Sequence, residues 1–350
     1  MVALRKTGRG PDAASLQELA TPQAGPGQVR VAVRATGICG TDLHILLDEF
    51  PSTPPVTMGH EVSGLIDQVG DGVDSRLVGR RVALETYFST CGRCARCRAG
   101  SPNLCAERRS IGSHVDGGFA SHVVVPEVNA HEVHESVSLH AGSLYEPLAC
   151  VSHCLCDPAV ASPGDTALVV GPGTMGLLAA QVLRAEGAVV VVVGTDRDAV
   201  RLDLARTLSL TAVLVDDLDA ELGAAGDRSS GRLVPPLGFD VVADCSGSAA
   251  GIGRGLELTR KGGHYVQIGL CGRPIPLAID VVCLREITVT SGFASTPRSW
   301  RRAEMLVSSG LVQLDPLVTR VGVLAEWQEC FDLTRRAAGV KVVIDPGRQS

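Results

Sequence analysis

Four of the twelve cysteines in this chain crowd into one short stretch, Cys91, Cys94, Cys97 and Cys105, in C-x2-C-x2-C-x7-C spacing. Four thiolates so spaced can close a tetrahedral shell around zinc without straining the loop that carries them. A closed shell keeps no position for a substrate, so this zinc would be structural. Incidental thiols or two disulfides are the alternatives, and the reducing compartment inferred below opposes disulfides. A second set is looser: Cys39 in Cys39-Gly40-Thr41-Asp42-Leu43-His44, His60 and Glu61 in Gly59-His60-Glu61, and Glu146 in Tyr145-Glu146-Pro147-Leu148. One thiol, one imidazole and two carboxylates could make a mixed zinc site that keeps a position for water or substrate. Spacing alone fits a buried cysteine, a core histidine and surface carboxylates better.

A third constellation suits phosphate. The apolar run Thr166 to Val170 leads into Gly171-Pro172-Gly173-Thr174-Met175-Gly176, and a helical stretch, Leu177 to Glu186, follows. The glycines allow a tight turn and close backbone approach, and the helix N-terminus offers free N–H groups to a pyrophosphate. Strand, glycine turn, helix and second strand in this order are the context a dinucleotide site requires. Asp196, twenty residues beyond Gly176, is placed to bond the adenosine ribose, which favours NAD; Arg197 and Arg201 could accept a 2′-phosphate and favour NADP. The expected cofactor contacts are Gly171, Gly173, Thr174, Met175, Gly176, Thr195, Asp196 and Arg201, with Ile268, Gly269, Leu270 and Phe293 further along.

These residues need elements to hold them. Val29, Val31 and Val33 alternate with Arg30, Ala32 and Arg34, the period-two pattern of a strand with one wet face. Val62 to Ile66, Arg81 to Leu84 and His122 to Val125 continue a β-rich, loop-rich first region. From about Ala161 short continuous apolar strands alternate with helical stretches, as in a buried parallel sheet. The six candidates are Thr166 to Val170, Val189 to Val193, Ala212 to Val215, Asp240 to Asp244, Tyr265 to Ile268 and Ile287 to Thr290. Helices around Trp300 to Val307 and Phe331 to Ala337 and a strand Lys341 to Ile344 form a tail expected to return to the first domain. Gly223 to Pro236 reads as a surface loop without assignable chemistry.

At ~150 residues per domain, 350 residues suggest two domains, and 45% hydrophobic content excludes intrinsic disorder. A net charge of -6 without a Lys/Arg block excludes nucleic acid as the main partner. The longest apolar stretch, Ala188 to Val193, is far short of the ~20 residues of a membrane span. No apolar run follows Arg5-Lys6, so no signal peptide is expected, and the chain reads as soluble and cytoplasmic. Aromatic residues make up only 3%, which speaks against an aromatic-lined apolar pocket.

Together with Gly37-Ile38-Cys39-Gly40-Thr41-Asp42, Asp116-Gly117-Gly118-Phe119-Ala120, Glu146-Pro147-Leu148 and Gly263-His264-Tyr265-Val266, these motifs resemble the zinc-containing medium-chain dehydrogenase/reductase superfamily. That superfamily holds the alcohol, polyol and threonine dehydrogenases, and the resemblance covers nearly the whole chain in order. It implies an α/β protein: a GroES-like catalytic domain over 1–155 with a structural zinc lobe at 85–112, a Rossmann domain over 156–292, and a return to the catalytic domain over 293–350. It implies two zinc ions per chain, NAD or NADP, an active site between the domains, and a homodimer or homotetramer. Cys39, His60 and Glu61 look like the catalytic zinc ligands of the polyol branch, and Glu146 matches a carboxylate that ligates zinc or holds its water. Thr41 and His44 match the proton relay. His153 matches a histidine of threonine dehydrogenases and is read as structural. The second strand carries an extra residue against the usual spacing, which makes Thr195 a competitor of Asp196 for the ribose.

The reaction implied is hydride transfer between a secondary alcohol of a polyol, cyclitol or sugar and nicotinamide. Zinc lowers the pKa of the bound alcohol so that it ionises near neutrality. Zn2+ with the Cys39 thiolate, the Glu61 carboxylate and neutral His60 sums to zero charge; Glu146 as a further ligand would oppose ionisation and is expected to leave zinc or only touch it when substrate is bound. Threonine-like amino alcohols, simple alcohols and a non-catalytic sensor of zinc and dinucleotide are the competing readings.

Overall fold

The computed structural model describes residues 1–223, 235 and 237–348. The surface loop expected between Gly223 and Pro236 falls almost wholly outside them. The chain forms two compact units: Met1–Ala149 with Ala294–Ser308 and Leu314–Ser350, and Cys150–Phe293 with Ser309–Gln313.

A seven-stranded sheet organises the first unit. Its strands run in the order Ala130–Glu132, Arg81–Leu84, Glu61–Val69, Gln28–Gly37, Lys341–Asp345 and Val318–Val323, with His122–Pro126 also paired to Gln28–Gly37. The alternation read at Val29, Val31 and Val33 is real: all three side chains are buried, in a core with Val62, Ile66, Val82, Leu84, Val123 and Val125. Period two places such residues on one face, and removing that face from water drives the pairing. The tail joins this sheet at its centre. Lys341–Asp345 pairs antiparallel with Gln28–Gly37, setting Val343 opposite Gly37 and Ile344 opposite Thr36.

In the second unit six parallel strands lie in the order Thr211–Leu214, Val189–Gly194, Thr166–Val170, Phe239–Asp244, Thr259–Gln267 and Thr288–Ser291. The order reverses beside Thr166–Val170, the switch point where doubly wound sheets bind dinucleotides. Two boundaries differ from expectation for physical reasons. Val215 begins a helix, Val215–Gly223, because Asp216 and Asp217 suit a helix first turn. The fifth strand starts at Thr259, well before Tyr265, since its polar Arg260-Lys261 opening hides it from an apolar reading. Among the described residues no helix is long and apolar enough to cross a membrane.

Helix Pro297–Ser308 belongs to the first unit and is anchored there by charge. Trp300, fully buried, stacks on His131 with ring centroids 4.3 Å apart. His131 donates from Nδ1 to Glu304 at 2.8 Å and from Nε2 to Glu85 at 3.0 Å. Burial alone would lower its pKa, but the two carboxylates outweigh it and raise the ring from 6.5 to about 9. A pKa raised on folding stabilises the protein fully below pH 6.5, and that gain is lost as pH rises through about 9. The gain is about 3 kcal/mol at most. The native protein should therefore lose more Tm between pH 6.5 and 9 than His131→Gln does; parallel Tm profiles for the two proteins would refute a charged His131.

Candidate active site

Two strand ends and one helix start bring the metal-ligand candidates together in the first unit. Gln28–Gly37 stops just before Cys39, which is the N-cap of helix Gly40–Leu46. His60 precedes, and Glu61 opens, the strand Glu61–Val69, with Glu61 directly opposite Gly37. The chain turns at Cys39 because its amide donates to the Asp42 carboxylate at 2.9 Å, a capping-box contact that starts the helix. One donor atom each from Cys39, His60 and Glu61 then fall within 4.8 Å of one another.

Asp42 does more than cap. It is fully buried, its Oδ1 makes no hydrogen bond, and this oxygen faces His60 Nδ1 at 3.5 Å. Burial works against a charged His60, but the negative charge of Asp42 and the neighbouring Cys39 overcome it and raise the ring well above its ordinary value. A carboxylate behind one ring nitrogen fixes the imidazole and leaves the other nitrogen to ligate a metal. Thiolate, imidazole and carboxylate at this separation, with such a backing group, fit zinc.

Glu61 carries a partner of its own. Lys341, on the strand across Gly37, is buried and donates from Nζ to Glu61 Oε1 at 2.8 Å and Oε2 at 2.6 Å, and to the Ile38 carbonyl at 3.2 Å. Desolvation opposes the ammonium charge, but Glu61 and Cys39 more than restore it, so Lys341 titrates above an ordinary lysine. Gly37 makes the contact sterically possible, since a Cβ there would overlap Glu61 Oε2.

The four lobe cysteines also converge. Cys91 Sγ lies 3.6 Å from Cys105 Sγ and 4.0 Å from Cys97 Sγ. Zinc–sulfur bonds of ~2.3 Å in a tetrahedron put sulfurs about 3.8 Å apart, so this cluster also fits the ion. Backbone amides of Arg93 and Cys94 pull Cys91 down to about 6 while burial pushes Cys97 up to about 11, so the thiols share their protons.

In the second unit the glycine turn has the predicted form. Gly171 takes φ +95°, which suits glycine, and a Cβ on Gly176 would overlap the Gly171 carbonyl oxygen. Gly173 caps helix Thr174–Ala185, which contains Met175. Thr195 is committed locally, its amide and hydroxyl both donating to Asp198 at 3.0 and 2.9 Å, and Asp198 also meets Arg201 at 3.4 Å. Asp196 is exposed. Ile268 and Gly269 donate their amides to the Asp244 carbonyl, and Leu270 and Phe293 are 67% and 46% exposed.

The chain is similar to known proteins over its whole length. The family described as "Alcohol dehydrogenase GroES-like domain" matches residues 25–135, and "Zinc-binding dehydrogenase" matches residues 174–309. A sorbitol dehydrogenase of Halalkalibacterium halodurans is 34% identical over 99% of both chains. A D-arabitol-phosphate dehydrogenase of Enterococcus avium is 33% identical, over 99% of this chain and 97% of that one. A zinc-binding dehydrogenase of Sinorhizobium meliloti, crystallised with NADP, shares 35% identity over 99% of both chains with a TM-score of 0.87. The chain belongs to the zinc-containing medium-chain dehydrogenase/reductase superfamily. It is a dehydrogenase of its polyol branch, an oxidoreductase acting on CH–OH with zinc and a nicotinamide dinucleotide as cofactors.

In this dehydrogenase Thr41 and His44 lie one turn apart on helix Gly40–Leu46. Thr41 Oγ1 is 3.6 Å from Cys39 Sγ, and His44, partly exposed, meets Glu49 at 2.7 Å through Nδ1. Glu146 is buried in the first turn of helix Tyr145–Cys156 and accepts from the Thr86 hydroxyl at 2.7 Å; it is not among the three residues whose donor atoms come within 4.8 Å. Sequence reasoning missed the parts played by Asp42, Thr86 and Lys341. Asp42 carried a signal, the three-residue spacing from Cys39 of a helix cap. Lys341 carried none, 280 positions from Glu61. Since Gly37 has no room for a Cβ, Gly37→Ala should cost about 2–4 kcal/mol in urea unfolding; an unchanged midpoint would mean the Glu61 carboxylate moves aside freely.

Proposed function

We propose that this dehydrogenase oxidises a secondary alcohol of a polyol, cyclitol or sugar, with Cys39, His60 and Glu61 holding the catalytic zinc and the four lobe cysteines a second, structural one. The observation that carries the reading is the convergence of Cys39, His60 and Glu61, with His60 backed by buried Asp42. When bound, zinc supplies the Lewis acidity that lowers the pKa of an alcohol, and the nicotinamide accepts its hydride. The chain's own residues do the rest. The Thr41 hydroxyl, close to Cys39, accepts the alcohol proton as it gives up its own, and His44, with Glu49 behind it, takes up the released proton and passes it to solvent. Glu146, held by Thr86 rather than grouped with the three ligands, orders water or substrate beside the metal.

Support for a polyol comes from relatives named sorbitol dehydrogenase, D-arabitol-phosphate dehydrogenase and D-xylulose reductase, each 33–34% identical. For the cofactor, NAD is the preferred reading. Exposed Asp196 can bond a ribose, while Arg201 is already paired with Asp198, which leaves Arg197 as the counterweight towards NADP. Twelve free thiols suit a reducing cytoplasm. The edge strand Thr288–Ser291, with Val289 49% exposed, offers a surface for a homodimer or homotetramer.

The test is a panel of polyols, cyclitols and amino alcohols with NAD and NADP, following reduced nicotinamide. Turnover should favour polyols with NAD; a preference for L-threonine would overturn the substrate reading. Cys39→Ser should abolish turnover and halve the zinc content while circular dichroism stays native, and undiminished activity would reject the catalytic-zinc assignment.

A further inference from the structure

The polar group that the chemistry above leaves unused is Lys341. It is 3% exposed, and its three hydrogen bonds all go to the metal-site region: two to Glu61 and one to the Ile38 carbonyl beside Cys39. A buried ammonium is expensive to desolvate, and an apolar residue on this strand would pack at least as well. Its neighbours on the strand, Val342, Val343 and Ile344, are all buried apolar residues. The fold also leaves room for the contact, because Gly37 stands between the two strands with no side chain to block it.

Charge explains what the contact does. Cys39, Glu61 and Asp42 contribute three negative charges to one buried region, and His60 is neutral when it ligates. Zinc balances two of the three. Without a further cation the loaded site would carry a net negative charge, which opposes ionisation of a bound alcohol. Lys341 supplies the missing positive charge. It also occupies both oxygens of Glu61, so that carboxylate presents less negative charge to a metal than a free one would.

We propose that Lys341 is a positioning residue for the metal site: it grips Glu61 by both oxygens, keeps that carboxylate a weak and detachable zinc ligand, and offsets the buried negative charge of Asp42. The inference rests on the assignment of Cys39, His60 and Glu61 as ligands. It adds that the strength of one ligand is set from a strand at the far end of the chain.

Lys341→Met tests it in the zinc- and cobalt-loaded enzyme. Freed from its partner, Glu61 should bind the metal more tightly, so zinc should pass to a chelator more slowly, on the order of tenfold. The visible bands of the cobalt enzyme should weaken as the second Glu61 oxygen, freed from Lys341, joins the first on the metal and raises the coordination number above four. The pH profile of kcat should move up by on the order of one unit, because the site has gained net negative charge. Lys341→Arg should restore all three readouts, since a guanidinium holds a carboxylate through two parallel bonds. If Lys341→Met is too unstable to purify, Glu61→Gln combined with Lys341→Met removes both charges together; its pH profile should return to the native one while zinc is released faster. Zinc release that is unchanged or faster in Lys341→Met, a native cobalt spectrum, or a double variant with a shifted pH profile would each overturn the proposal. Failure of the ligand assignment itself would look different: Cys39→Ser would then leave the native cobalt spectrum unaltered.

Discussion

The contact that ties the first unit's metal-ligand candidates together runs across the end of one strand. Gln28–Gly37 is paired on one side by Glu61–Val69 and on the other by Lys341–Asp345, so Gly37 has Glu61 opposite it on one flank and Val343 on the other. The carboxylate of Glu61 reaches over Gly37 to the ammonium of Lys341. Two residues later the same strand delivers Cys39, and His60 stands just before Glu61. Sheet register thus fixes thiol, imidazole, carboxylate and ammonium together, and a one-residue slip in either pairing would send Glu61 or Lys341 to the opposite face.

Buried charge is managed in this unit by pairing. Asp42 faces His60, Lys341 holds Glu61, and His131 lies between Glu85 and Glu304. Each pair costs desolvation, and each ties together segments distant in sequence. The His131 pairing secures helix Pro297–Ser308, whose Trp300 completes the anchor. Lys341 does the same for the last strand. The Cys39, His60 and Glu61 cluster and its Lys341 partner are therefore drawn from both ends of the chain, and the second unit is inserted between them in sequence.

The second unit works by backbone geometry instead. Its parallel sheet is apolar on both faces, and the loop after its first strand depends on glycine φ values and on close approach, with Gly171 and Gly176 in contact where no side chain fits. Asp244, fully buried at the end of Phe239–Asp244, accepts from Ser246, Gly247 and Gln267 and ties neighbouring strand ends to the same rim. Burial raises its pKa despite those donors.

Local pattern made much of this protein legible in advance. The four-cysteine spacing, the glycine turn between strand and helix, the alternating valines and the six apolar runs each follow from covalent geometry or periodicity, which act over a few residues. The sequence by itself therefore determined the two kinds of unit, the lobe cysteines and the glycine turn between strand and helix. Contacts between distant segments were another matter. Spacing alone favoured a plain core for Cys39, His60 and Glu61, because nothing local brings residues twenty apart to one point. Only the tertiary structure decided that these three converge, that Glu146 is held by Thr86 instead, and that Lys341 crosses the sheet to Glu61. The reason is physical: register between strands is set by the packing of the whole sheet, and no run of neighbouring residues encodes it.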